Sequence, residues 1–200
     1  MNTGKKKRVR IVFNAPAVLG FALLCLAVQV LSVLTNGASN TAVFSVYRSS
    51  LLDPLTYVRF IGHVMGHADW NHLLNNMMYL LILGPMLEEK YGSANLIFVM
   101  LATAIVTGLL HVLFFASNVH LLGASGIVFA FILLASITTT QENTIPATFL
   151  VVAALYIGQQ IYQGVTSQDN ISQLTHIAGG LVGSFLGFTM NRLKMNRYQR

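Results

Sequence analysis

Six stretches of about 20 mostly apolar residues, joined by short polar connections, leave this chain few ways to fold. Backbone placed in hydrocarbon must satisfy its own N–H and C=O groups, which only helices and closed barrels achieve. The stretches are continuously apolar and lack the alternation of barrel strands, so they predict helices. Composition agrees: 54% of the 200 residues are hydrophobic and 9% charged, with mean hydropathy +0.65, which excludes an ordinary soluble domain. The predicted fold class is all-α, a polytopic membrane protein built as one six-transmembrane-helix bundle.

The first span runs from Ala15 to about Asn36, with Gln29 and Ser32 as its clearly polar residues. Its length exceeds the ~7–15 residues of a signal-peptide apolar core and no small-residue cleavage site follows promptly, so it reads as an anchor. From Gly37 to Gly66 the chain mixes Arg48, Asp53, Arg59 and His63 with Tyr47, Leu52, Tyr57 and Phe60. That pattern suits an element lying in the outer interface. The second span is Trp70 to Leu87, the third Ala94 to about Ala116 and the fourth Leu121 to about Ile137. The fifth is Ala147 to about Gly164 and the sixth Ile171 to Asn191, with turns predicted at Ser117 to His120, Thr138 to Pro146 and Val165 to Asn170. No repeat or low-complexity segment divides the chain, so a single membrane domain, 15–191, is expected between basic tails 1–14 and 192–200.

The net charge of +6 does not point to nucleic acid, because nine of the twelve Lys and Arg lie at the two ends: Lys5, Lys6, Lys7, Arg8, Arg10, Arg192, Lys194, Arg197 and Arg200. Topology and attraction to anionic lipid account for such tails. Both tails are therefore expected in the cytoplasm, which demands an even number of spans. Cys25 is the one cysteine, so no intramolecular disulfide can form.

With the amino terminus inside, the second, fourth and sixth spans all begin at the outer face. His67, His72 and Asn76 lie at the start of the second, Ser125 at the start of the fourth and His176 at the start of the sixth. Ionisable residues inside a membrane are costly and face a bundle interior or a wet cavity. Ser125 stands in Gly123-Ala124-Ser125-Gly126, where a hydroxyl flanked by glycines is open to close approach. Read alone, the same small residues serve helix packing, and so do Gly179, Gly183 and Gly187 at four-residue intervals. That packing would itself draw the sixth helix against the fourth and bring His176 to Ser125. His111 and His120 have no evident partner and read as structural. His63, His67 and His72 lack the His-Glu-x-x-His spacing of membrane metalloproteases, so no metal site is assigned.

Together, His67-x4-His72-x3-Asn76, Gly123-Ala124-Ser125-Gly126 and His176-x2-Gly179-x3-Gly183 resemble the rhomboid intramembrane serine proteases over about Val58 to Phe188. The resemblance implies a dyad in which Ser125 is the nucleophile and His176 the general base and then acid. It implies an oxyanion site made by His72, Asn76 and the Ser125 backbone N–H, with Gly123 shaping the loop. It also places His67 in a polar network beside the site, Arg59 in the outer loop and Glu88 in a structural hydrogen bond at the end of the second helix. Two positions depart from the family pattern: a Trp-Arg pair reads Val58-Arg59, and a position often filled by Tyr is Phe129. Phe129 can stack on His176 but has no hydroxyl to donate, so the base is expected to be held differently.

The chemistry fits the resemblance, since a serine hydroxyl needs a neighbouring base and acyl transfer needs donors aimed at a developing oxyanion. No Asp or Glu is placed in the sequence to orient His176, which predicts a dyad. The expected activity is cleavage of single-span membrane proteins in or just outside a locally unstable transmembrane segment, with lipid as the surroundings and no cofactor. The implied location is a bacterial inner membrane, and nothing in the residues sets an oligomeric state. One rival is an inactive rhomboid-like protein that binds membrane clients. Another is a transporter or proton relay, which the absence of a broken-helix pair and of an intramembrane carboxylate near the site disfavours.

Overall fold

Proline at the first helical position starts α1 (Pro16–Leu34), and a carboxylate from elsewhere in the chain takes the amides that this helix leaves bare. Glu88 accepts from the N–H groups of Ala17 at 2.9 Å and Val18 at 3.0 Å. The computed structural model describes residues 12–138, 144–166 and 170–198. After α1 come α2 (Ala38–Ala42), α3 (Pro54–Gly62), α4 (Trp70–Tyr91), α5 (Ser93–Phe114), α6 (Ser125–Ser136), α7 (Ala147–Thr166) and α8 (Asn170–Tyr198). Glu88 lies in the last turn of α4, so α1 runs antiparallel to α4. Ser93 Oγ donates to the same carboxylate at 2.6 Å, which ties in the first residue of α5. Gly92, at φ +83°, makes the turn between α4 and α5.

The mixed segment between α1 and α4 folds as two short helices and a loop. Asp53 caps α3 by accepting from the Leu55 N–H, and Pro54 supplies the fixed φ of its first turn. Arg48 donates to the carbonyls of Val112 and Leu113 at 2.9 and 2.7 Å, closing the end of α5. His111 and His120 do have partners: His111 Nε2 pairs with the Val119 carbonyl at 3.0 Å and His120 Nδ1 with Ser45 Oγ at 3.1 Å.

At the centre stands α6, whose Ile127, Ala130, Phe131 and Leu134 are fully buried. It starts at Ser125, four residues later than the expected Leu121. The backbone groups of Leu121 pair instead with Val46, N–H to O at 2.9 Å in both directions, and the Gly123 N–H is held by the His63 carbonyl at 2.9 Å. These bonds keep residues 121–124 out of the helix. At 12 residues, α6 is about 18 Å long.

Helices α6 and α8 run parallel, in register at four-residue steps: Gly179 lies on Gly126 and Gly183 on Ala130, each so close that a Cβ would strike the carbonyl opposite. Helix α7 returns antiparallel to both and packs beside them. Its Tyr156 packs at Gly180, where a Cβ would lie 3.0 Å from the ring. At the far end, Asn191 of α8 donates to the Ile137 carbonyl at 2.7 Å and accepts from Tyr91 Oη at 3.1 Å, so the ends of α4 and α6 are tied to the same side chain of α8.

Among the described residues two helices, α1 and α5, are long and apolar enough to cross a membrane, and α6 and residues 147–162 are shorter apolar helices. The six expected stretches thus do not all meet a simple length and hydropathy criterion, because α6 is short and α4 carries Asn71, His72, Asn75 and Asn76. Helix α8 continues through most of the segment expected as a basic tail. The expected tail 1–14 and the turns 138–146 and 165–170 fall partly outside the described residues, although Val165 and Thr166 still belong to α7.

Candidate active site

Three parallel helices begin at one end of the bundle, and each delivers a polar side chain to the same cleft. Ser125 is the first residue of α6, so its N–H is among those that a helix leaves without an internal partner. His176 lies on the second turn of α8, with Nε2 2.9 Å from Ser125 Oγ. The ring of Phe129, one turn along α6 from Ser125, lies against the His176 ring with centroids 4.4 Å apart. Tyr156 of α7 meets the far side of Phe129, also at 4.4 Å.

Across the cleft, α4 supplies His72 and Asn76, one turn apart. Asp69 caps this helix by accepting from the His72 N–H at 2.8 Å. The Ala68 N–H donates to His72 Nδ1 at 3.5 Å, which leaves Nε2 to carry the ring proton. Gly123 faces that nitrogen. Its φ is +128°, and a Cβ there would lie 2.8 Å from His72 Nε2 and 3.9 Å from Asn76 Nδ2, so both conformation and space require glycine. Asn76 Nδ2 is buried and has no hydrogen-bond partner among the described residues. An unpaired buried donor is costly, and one that borders a cleft is available to a group bound there. The cleft has a volume of about 290 Å³ and is lined by these groups together with Asn75, Tyr79 and Leu122.

The other expected site residues lie further out. His67 sits edge-on to His72 with centroids 5.1 Å apart, and its Nδ1 pairs with the Met65 carbonyl at 3.1 Å. Burial, and then the neighbouring His72 ring, push its pKa down to about 4, so His67 is neutral. Arg59 does not reach the cleft. It pairs with Asp53 at 3.0 Å, donates to the Ala42 carbonyl at 2.9 Å and lies over the Tyr47 ring at 4.7 Å, which locks the loop before α4. Glu88 stands at the opposite end of α4, joining three helix ends as described above.

Sequence reasoning missed Gln160. Its Oε1 lies 2.9 Å from His176 Nδ1, and the residue is buried at 1% exposure. The available signal was an adjacent amide pair, Gln159-Gln160, inside an apolar stretch. Only the register of α7 against α8 distinguishes the buried member from the exposed one.

A family model described as the rhomboid domain matches residues 54–193. The chain belongs to the rhomboid family. Among curated relatives, it is 27% identical over 150 residues to "Rhomboid-like protein 11, chloroplastic" of Arabidopsis thaliana, covering 68% of this chain and 53% of that protein. It is 26% identical over 185 residues to "Rhomboid protease GlpG" of Yersinia pestis strain Pestoides F, covering 86% of this chain and 62% of the relative. The Yersinia pseudotuberculosis protein of the same name matches equally. The chain therefore spans between about half and two thirds of the length of these relatives. Family and apolar helices together make this rhomboid an integral membrane protein.

Proposed function

We propose that the protein is an intramembrane serine endopeptidase acting through a Ser125–His176 dyad. The observation that carries this reading is the convergence of a 2.9 Å Oγ to Nε2 hydrogen bond with an unpartnered buried donor, Asn76 Nδ2, across the same cleft. A serine that merely packs has no base beside it.

Each group has a step. Ser125 Oγ attacks the scissile carbonyl carbon as its proton passes to His176 Nε2. The carbonyl oxygen becomes an oxyanion facing His72 Nε2–H, Asn76 Nδ2–H and the Ser125 N–H, donors that cost no reorganisation because the fold already holds them. His176 then gives its proton to the leaving amine, and an acyl ester remains on Ser125. Water, deprotonated by the same imidazole, attacks the ester to release the acid and restore the hydroxyl.

Substrates are membrane proteins cut in or beside a transmembrane segment. A hydrogen-bonded helix hides the carbonyl, so segments that unwind easily are preferred. An apolar crevice of about 530 Å³ lies between Tyr79 and Ile82 of α4, Ile132 of α6 and Val152 of α7, sharing Tyr79 with the cleft, and it suits an incoming apolar segment. In the bilayer α1, α4, α5, α6, α7 and α8 are six spanning or embedded helices, with both basic termini cytoplasmic by the positive-inside rule.

The test is incubation of the purified chain, reconstituted in bilayer, with single-span substrates of differing helix stability, beside Ser125→Ala. Cleavage lost only in the variant supports the proposal. Binding without cleavage, and no labelling of Ser125 by a serine-directed phosphonate, would replace it with a client-binding role.

A further inference from the structure

Gln160 occupies the position beside the base that a carboxylate fills in other serine hydrolases. We propose that Gln160 is the positioning residue of this enzyme, holding His176 in the one tautomer that can take the Ser125 proton; the inference rests on the protease reading above. To accept that proton, Nε2 must present its lone pair, so the ring hydrogen must sit on Nδ1. Nδ1–H then needs an acceptor in a buried place, and Gln160 Oε1 stands 2.9 Å away.

Packing makes the meeting obligatory. Tyr156 of α7 fits where Gly180 of α8 lacks a side chain, and in an antiparallel pair four residues onward along α7 is four residues back along α8. Gln160 therefore faces His176. Phe129 covers the face of the ring and leaves its edge free for the amide. Among the described residues, the titratable groups near the ring are Tyr156 behind Phe129 on α7 and His72 and Tyr79 across the cleft on α4.

An amide differs from a carboxylate in a way that can be measured. It fixes the tautomer but adds no full negative charge to stabilise the imidazolium. Gln160→Leu should lower kcat by about 10–100-fold with KM within about twofold, since an unheld ring loses the reactive tautomer and orientation. Gln160→Glu keeps the acceptor, so it should retain turnover within about threefold at high pH. Its acidic limb should move to higher pH, because the carboxylate favours the protonated ring.

A second measurement does not depend on turnover: ¹⁵N spectra of the histidine-labelled chain, with His176 assigned by its loss in His176→Ala, should show the Nδ1–H tautomer. If the amide faces the other way and donates to Nδ1, the ring carries its proton on Nε2 and Gln160→Leu is harmless; either result overturns the inference. So does a Glu variant whose pH profile stays with the wild type. Cleavage by the wild type with an unchanged Gln160→Leu sinks this inference alone. No cleavage and no Ser125 labelling by the wild type sinks the protease reading, and this inference with it.

Discussion

Replacing Gly179 by alanine tests whether helix packing sets the catalytic distance. The added Cβ would collide with the Gly126 carbonyl oxygen and lie 2.8 Å from the carbonyl carbon. A comfortable carbon–carbon contact is about 3.5 Å, so α8 must withdraw from α6 by about 0.7 Å or more. Backbone cannot rotate out of the way as a side chain can. His176 is one turn from Gly179 on the same helix, so its 2.9 Å bond to Ser125 would lengthen past the limit of a hydrogen bond. Misplacement of that size costs roughly 100-fold in turnover, and the overpacking costs about 1–3 kcal/mol of stability.

The matched control is Gly187→Ala, two turns further along. There the new Cβ meets the Leu134 Cδ1 at 2.7 Å and the Ile137 Cδ1, ends of side chains that can change rotamer. The assay is cleavage of a transmembrane substrate per folded molecule, with folding followed by thermal or denaturant unfolding in the same lipid. Gly179→Ala should lose about 100-fold and Gly187→Ala less than about fivefold. A folded Gly179→Ala with near-normal turnover, or a Gly187→Ala equally damaged, would refute the reasoning.

Asn76→Ala should reduce kcat by about 10²–10³ with little change in KM, because in the proposed mechanism its amide serves the oxyanion and not the bound substrate; steady-state kinetics in bilayer decides it. Glu88→Ala removes the acceptor shared by Ala17, Val18 and Ser93 and should lower unfolding stability by about 3 kcal/mol, while turnover per folded molecule stays within about threefold. His63, in the loop between α3 and α4, is fully buried and its pKa is pushed down to about 4, first by desolvation. The unfolded chain therefore binds a proton that the folded chain does not, so stability is complete above pH 6.5 and falls as pH drops from 6.5 toward 4. The loss should reach about 3 kcal/mol, and His63→Gln should flatten the pH dependence measured by unfolding.

The helices and the cleft were legible in the sequence to different degrees. Continuous apolar runs ending at Gly, Pro or polar clusters place α1, α4 and α5 within a few residues, because those boundaries depend on local chemistry. Gly179 and Gly183 announced the α6–α8 contact, since small residues at four-residue spacing can only pack closely. Gln160 was not legible. Nothing local separates it from Gln159, and the distinction comes from Tyr156 fitting at Gly180, a long-range packing choice. Likewise no local rule told that Arg59 would turn away from the cleft toward Asp53, Ala42 and Tyr47.

The displaced start of α6 carries the most chemistry. Were the helix to begin at Leu121, as apolarity alone suggests, the Ser125 N–H would bond the Leu121 carbonyl within the helix. That carbonyl instead accepts from the Val46 N–H at 2.9 Å, and the Gly123 N–H is drawn to the His63 carbonyl. The first turn is thereby removed, and the Ser125 N–H is among those that α6 leaves without an internal partner. Asn76 lies six residues into α4 and His176 six residues into α8, each about 9 Å from its helix start. A helix beginning at Ser125 brings its terminus to that same depth. In the proposed mechanism the loop between α1 and α4 thus shapes the site: by pairing with residues 121–123 it removes a turn of helix and so frees the N–H that would serve the oxyanion.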